Sequence, residues 1–142
     1  MRPVSLIKVN KSPEAQRVLS QKTARLVSKL LTGVLEDDGT ASLARVSNYS
    51  VAGKTGTTKK PIPGGYADDR YMSMFAGFSP VSDPRLVMVV VIDDPSSGEY
   101  YGGKVAGPVF SNVMAGALRI LNVAPDELPV QQAKSGKRSN SV

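Results

Sequence analysis

Seven consecutive apolar residues, Leu86–Ile92, constrain this chain more than any other stretch. Val89, Val90, Val91 and Ile92 are all β-branched, which disfavours helix and favours strand. Pro84 precedes the run and Asp93-Asp94-Pro95 follows it, so breakers bound it on both sides. With no polar position inside, the run predicts a strand buried on both faces. It falls far short of the ~20 apolar residues that a helix needs to span a bilayer. Tyr71–Phe78, rich in aromatics and methionines and without a helical period, reads as a second strand. Ser79-Pro80 and Ser82-Asp83-Pro84 make a tight turn between the two, so they pair antiparallel. Asp93 and Asp94 have the carboxylates for acid–base work, but a strand-ending turn needs no more than their sequence already offers.

A third strand precedes these. Val51-Ala52-Gly53-Lys54-Thr55-Gly56-Thr57-Thr58 opens apolar and continues with one lysine, hydroxyls and glycines. Alternate residues of a strand share a face, so Thr55 and Thr57 point one way and Lys54 the other. Hydroxyl donors, a cation and glycines that admit another backbone suit a strand that holds a carboxylate and a peptide together. Taken alone, the same letters also fit a glycine-rich turn with an exposed lysine.

Ser20 starts the first helix, with Leu26, Val27, Leu30, Leu31, Val34 and Leu35 at helical spacing; Gly33 interrupts it weakly and Glu36-Asp37-Asp38-Gly39 ends it. Thr40–Ser50 is a connection with one helical turn at Ala41–Ala44. Lys59–Arg70, with Pro61, Pro63, Gly64 and Gly65, reads as an exposed loop. Gly98-Glu99-Tyr100-Tyr101-Gly102-Gly103 offers two aromatics framed by glycines, either a binding wall or tyrosines closing the edge of the core. The last helix is predicted to begin near Gly107-Pro108, with proline in its first turn, and to carry Val109, Phe110, Val113, Met114, Ala117, Leu118 and Leu121 to Asn122. Near the start, Val4–Val9 is strand-like. Its Ser5-Leu6-Ile7-Lys8 matches the spacing of a serine nucleophile and its lysine, but Pro3 and the short run deny it the helical turn that this chemistry needs. Ser12-Pro13-Glu14 caps one short turn.

Composition narrows the chemistry. The 142 residues contain no cysteine and no histidine, so disulfides, thiolate metal sites and a histidine base are excluded. Acid–base work falls to lysine, carboxylate or tyrosine. The net charge of +6 is not a nucleic-acid footprint: half of it sits in residues 130–142, as Lys134, Lys137 and Arg138, and no basic helix face or basic-aromatic ladder occurs. No signal peptide or membrane-spanning stretch is legible. One domain over residues 1–128 is expected, followed by a polar tail, residues 129–142, predicted to be disordered.

These residues, taken jointly, resemble a family. Lys54-Thr55-Gly56-Thr57-Thr58-Lys59-Lys60, Arg70-Tyr71, Phe75-Ala76-Gly77-Phe78-Ser79-Pro80, Pro84-Arg85-Leu86, Asp94-Pro95, Tyr100-Tyr101-Gly102-Gly103 and Pro108-Val109-Phe110 come in the order and spacing of class B penicillin-binding proteins, especially the cell-division type of Gram-negative bacteria. The resemblance spans about residues 1–128 and implies the C-terminal portion of the serine transpeptidase/β-lactamase-like α+β fold. That portion comprises three antiparallel strands, with an N-terminal and a C-terminal helix packed on the sheet. Members are D,D-transpeptidases that cross-link peptidoglycan stem peptides at the periplasmic face of the inner membrane, anchored by an upstream segment. β-Lactams acylate their serine, and no metal or cofactor is needed. A β-lactamase, a D,D-carboxypeptidase, or a non-catalytic module that binds peptides or division partners are the alternatives.

The resemblance also assigns roles. Lys54 supplies positive potential and helps proton traffic. The Thr55 and Thr57 hydroxyls hold the terminal carboxylate, and the Thr57 N–H forms half of an oxyanion hole. The strand, with Gly56, pairs with the substrate backbone, and Tyr100, Tyr101 and Gly102 wall the pocket. Of the family's three motifs, Ser-x-x-Lys, Ser-x-Asn and Lys-Thr-Gly, only the last is here, so the isolated chain is expected to be inactive. The family's sheet has two further strands from upstream sequence. Without them the far side of Leu86–Ile92 is open unless Val4–Val9 fills it, and the isolated chain is expected to self-associate.

Overall fold

The Ser20 hydroxyl accepts the N–H of Thr23 at 3.0 Å, the side-chain cap that a serine at this position supplies, and α1 runs from Gln21–Thr32. The computed structural model describes Lys11 and residues 14–127; Val4–Val9 with Ser5 and Lys8, the Ser12-Pro13 cap and the tail 129–142 lie outside the described residues. The apolar stripe predicted to stay helical through Leu35 instead tightens into a 3-10 turn at Gly33–Leu35. Glycine is a poor helix former, and the Val34 carbonyl is taken by the N–H of Ala41 at 2.9 Å, which folds the chain back. A second 3-10 turn, Ser42–Ala44, occupies the place where one helical turn was expected.

Three strands follow: β1 (Ala52–Ile62), β2 (Gly65–Ser79) and β3 (Leu86–Asp93), antiparallel in the order β1-β2-β3. The sequence assigned Lys59–Arg70 to a loop; it forms the two arms of a hairpin instead. Ile62 pairs with Gly65 across a turn in which Gly64 has φ +91°, a left-handed value that glycine adopts without strain. The Lys60 ammonium meets the Asp93 carboxylate at 2.6 Å and Arg70 Nε meets Asp94 at 2.7 Å, which ties the hairpin to the end of β3. Asp94, at φ +58°, terminates that strand, so the acidic pair serves the turn.

The final helix, α2 (Gly102–Ile120), begins earlier than predicted, and Pro108 lies inside it. The start is fixed by close packing: a Cβ on Gly102 would fall against backbone atoms of Met74 and Gly56, and one on Gly103 against the Thr40 carbonyl. Only glycine lets the helix enter this near the sheet. Asn122, at φ +51°, ends it as expected.

Register decides what each sheet face carries. Thr55, Phe75 and Val90 are cross-strand partners, so they share the face that α2 covers. There Phe75, Phe110, Met114 and Leu118 are fully buried, with the two phenylalanine rings edge-to-face at 4.8 Å. Burial of each such side chain is worth about 1.5–3 kcal/mol. On the other face Val87, Val89 and Val91 are 78%, 62% and 47% exposed. The expectation that β3 is buried on both faces is therefore corrected: α2 covers one side, while α1, none of whose residues is buried, packs against β1 and shares with β3 only a cavity lined by Ser28, Phe78 and Val87 among others.

Candidate functional site

Thr57 and the first turn of α2 meet at the centre of the site. The Gly102 N–H donates to Thr57 Oγ1 at 3.0 Å. Because that oxygen accepts from behind, its own proton is free to point outward. Two residues along the same face, Thr55 Oγ1 lies 3.4 Å from Thr40 Oγ1. Lys54 sits on the opposite face, as strand alternation requires, with Nζ donating to the Thr55 carbonyl at 3.0 Å. Gly56 packs against Met74, whose Cε would stand 3.2 Å from an added Cβ, so the strand lies close over its neighbour.

Tyr100 and Tyr101 sit beside this strand because two polar groups hold their loop. The Ser73 hydroxyl donates to the Tyr100 carbonyl, and Glu99 Oε1 accepts the N–H groups of Tyr100 at 3.0 Å and Tyr101 at 3.1 Å. The Tyr101 N–H, then the Lys104 ammonium at 3.2 Å, hold the Glu99 carboxyl below the usual carboxylate range. Tyr100 stacks on Tyr71 with ring centres 4.1 Å apart and planes 10° apart, and tilts against Tyr101 at 4.7 Å. The adjoining Tyr101 hydroxyl pushes the Tyr100 phenol up, so Tyr100 remains a neutral donor at physiological pH.

The structure thus brings Thr55, Thr57, Gly102, Tyr100 and Tyr101 together around one strand face and the helix start, and sets Lys54 behind them. Thr40, Tyr71 and Glu99 belong to the same cluster and were not singled out from the sequence. Thr40 sat in a stretch read as a plain connection, and Tyr71 at the start of a run read as a strand, with no site role given to it. The framing glycines around Glu99 were the one available signal. A cavity of about 620 Å³, lined by Leu35, Arg45, Tyr49 and Glu127 among others, shares no residue with this cluster. The strand edge is the candidate site, because the hydroxyls of Thr55 and Thr57 and the start of α2 meet there.

Known proteins share sequence and fold with this chain. The family model described as the penicillin binding protein transpeptidase domain matches residues 1–115. Over 123 residues the chain is 43% identical to the probable peptidoglycan D,D-transpeptidase PenA of Neisseria flavescens, covering 87% of this chain and 31% of that protein. Over 127 residues it is 41% identical to the peptidoglycan D,D-transpeptidase FtsI of Escherichia coli K12, covering 89% and 22%. The apo structure of the TP domain from Burkholderia pseudomallei penicillin-binding protein 3 superposes with a TM-score of 0.78 at 41% identity, over 90% of this chain and 39% of that one. The chain spans less than a third of the length of these curated relatives.

Proposed function

The chain belongs to the penicillin-binding protein transpeptidase family, and from that premise we propose that it is the carboxylate- and backbone-binding part of a septal peptidoglycan D,D-transpeptidase. Its substrates in this reading are stem peptides, with β-lactams acting as mimics of their terminal dipeptide. The nucleophilic serine and its lysine come from the upstream remainder of the domain. Thr55 and Thr57 donate to the substrate carboxylate, Lys54 supplies positive potential, and Tyr100 and Tyr101 with Gly102 wall the pocket. The Thr57 N–H stabilises the oxyanion, and one such fixed donor is worth ~3–4 kcal/mol in the transition state. The free edge of β1 receives the substrate as an added strand. The parent protein works at the periplasmic face of the inner membrane, held by an upstream anchor and assembled with cell-division proteins. Among the described residues no helix is long and apolar enough to cross a membrane.

The observation that carries this reading is the Gly102 N–H bond to Thr57 Oγ1. It occupies one of the hydroxyl's two lone pairs from behind and leaves the O–H donor for a carboxylate, which needs a donor. Labelled penicillin and mass spectrometry test the proposal. The chain alone should form no adduct. The chain joined to the remainder of the Burkholderia domain should be acylated on a serine of that remainder. An acylated peptide containing Ser5, or an unreactive joined domain, would overturn it.

A further inference from the structure

Thr40 stands outside the strand that carries the site, yet its hydroxyl is aimed at it. Oγ1 of Thr40 lies 3.4 Å from Oγ1 of Thr55, within reach although long for a hydroxyl pair. The placement of Thr40 is built in. Gly39 donates its N–H to the Glu36 carbonyl at 2.9 Å, and Ala41 donates to Val34 at 2.9 Å, so the residue between them is gripped on both sides. The Thr40 carbonyl rests against Gly103 so closely that any side chain there would fall on it. The same helix start therefore fixes Thr40 through Gly103 and Thr57 through Gly102.

We propose that Thr40 is a positioning residue: its hydroxyl donates to Thr55 Oγ1, so that the Thr55 proton is directed to the carboxylate. The arrangement then repeats what Gly102 does for Thr57. Each hydroxyl that faces the ligand accepts one hydrogen bond from behind and donates one forward, and such chained bonds polarise one another. Thr40 itself touches no substrate atom. The inference rests on the carboxylate role proposed for Thr55.

The test uses the chain joined to the remainder of the Burkholderia domain and compares acylation by benzylpenicillin with acylation by its methyl ester, whose neutral carbonyl is a weaker acceptor. Thr40→Val should slow acylation by the free acid about fivefold, the loss of one net hydrogen bond, and leave the ester little changed. Thr40→Ser should restore the parent rate. Thr40→Val combined with Thr55→Val should be no slower than Thr55→Val alone, because the two act on one bond. Thr40→Ala serves if valine perturbs the fold. Equal losses with acid and ester, or additive losses in the double variant, mean that Thr40 is only structural and overturn the proposal. A Thr55→Val variant that acylates with the acid at the parent rate instead overturns the carboxylate reading, and this inference with it.

Discussion

Ser50 and Asp126, far apart in sequence, are joined twice: the Ser50 N–H donates to Asp126 Oδ1 at 2.7 Å and its hydroxyl donates to Oδ2. The Ser82 hydroxyl reaches the same Oδ2 at 2.6 Å. One carboxylate therefore binds the entry to β1, the turn between β2 and β3, and the segment after α2.

This carboxylate should make stability depend on pH. Partial burial works to raise its pKa, but the hydrogen bonds from Ser50 and Ser82 outweigh burial and hold it below the usual value. A depressed folded-state pKa means stability that is present above the unfolded value near 4 and lost as pH falls through the folded one. Asp126→Asn should cost about 1–2 kcal/mol at neutral pH. In the domain completed by its upstream part, thermal unfolding followed by circular dichroism should drop by roughly 2–4 °C. The gap between parent and variant should close below pH ~4; a gap that persists there would mean that the charge is not what matters.

Thr55→Val should slow acylation of the completed domain by β-lactams, since a charge-assisted hydrogen bond contributes ~1.5–3 kcal/mol. Thr58→Val should matter less: Thr58 lies on the opposite face and its hydroxyl is turned to the Lys59 carbonyl at 3.3 Å. Rate constants for both variants, measured with a fluorescent penicillin, check the contrast.

Gly102→Ala should be far more damaging than its single methyl suggests. The methyl would meet the Met74 carbonyl and amide and the Gly56 carbonyl, all of them backbone atoms that have no rotamer to retreat into. Overpacking costs of about 1–3 kcal/mol are typical where side chains give way, and here the cost should reach or exceed the upper end. Gly116→Ala on α2, with nothing within 4 Å of the added atom, is the control and should be neutral or slightly stabilising. Soluble yield and melting temperature separate the two.

The isolated chain should self-associate. Among the described residues β3 pairs only with β2, and Val87, Val89 and Val91 stand exposed beside the open edge. Charge on such a strand opposes edge-to-edge pairing, so Val89→Lys should shift the chain toward monomer in size-exclusion chromatography with light scattering. A parent chain that is already monomeric and melts cooperatively would show that the edge is capped from within.

What the sequence made legible followed from local physics. Ser20 reads as a cap and Asn122 as a stop because the groups involved are neighbours in the chain. Leu86–Ile92 reads as strand because β-branching acts residue by residue. The motif spacing carried the family and the placement of Thr55 and Thr57. The hairpin arms were missed because Lys59, Asp68, Asp69 and Arg70 are exposed and Ala67 is the one buried residue among 61–70, so no apolar alternation marks them. The start of α2 was missed because glycine at Gly102 and Gly103 reads as loop, while its reason is the proximity of Met74 and Thr40. The exposed face of β3 was read as buried because the apolar run carries no sign of which part of the chain covers it. Thr40 and Asp126 had no signal, since each acts on a residue that only tertiary structure brings near.

The Pro63–Gly64 turn also sets an order of assembly. Pairing begins where Ile62 meets Gly65 and each further step toward Thr57–Ser73 and Ala52–Phe78 closes a wider loop. Local closures cost less entropy and form sooner, so the ribbon tip is placed to nucleate and Thr55 and Thr57 to dock later. Substitutions near the tip should then slow folding, whereas those at Ala52 or Phe78 should mainly hasten unfolding. Thr55 and Thr57, proposed above to hold the ligand, in that case take their places only after the ribbon that aligns them is already formed.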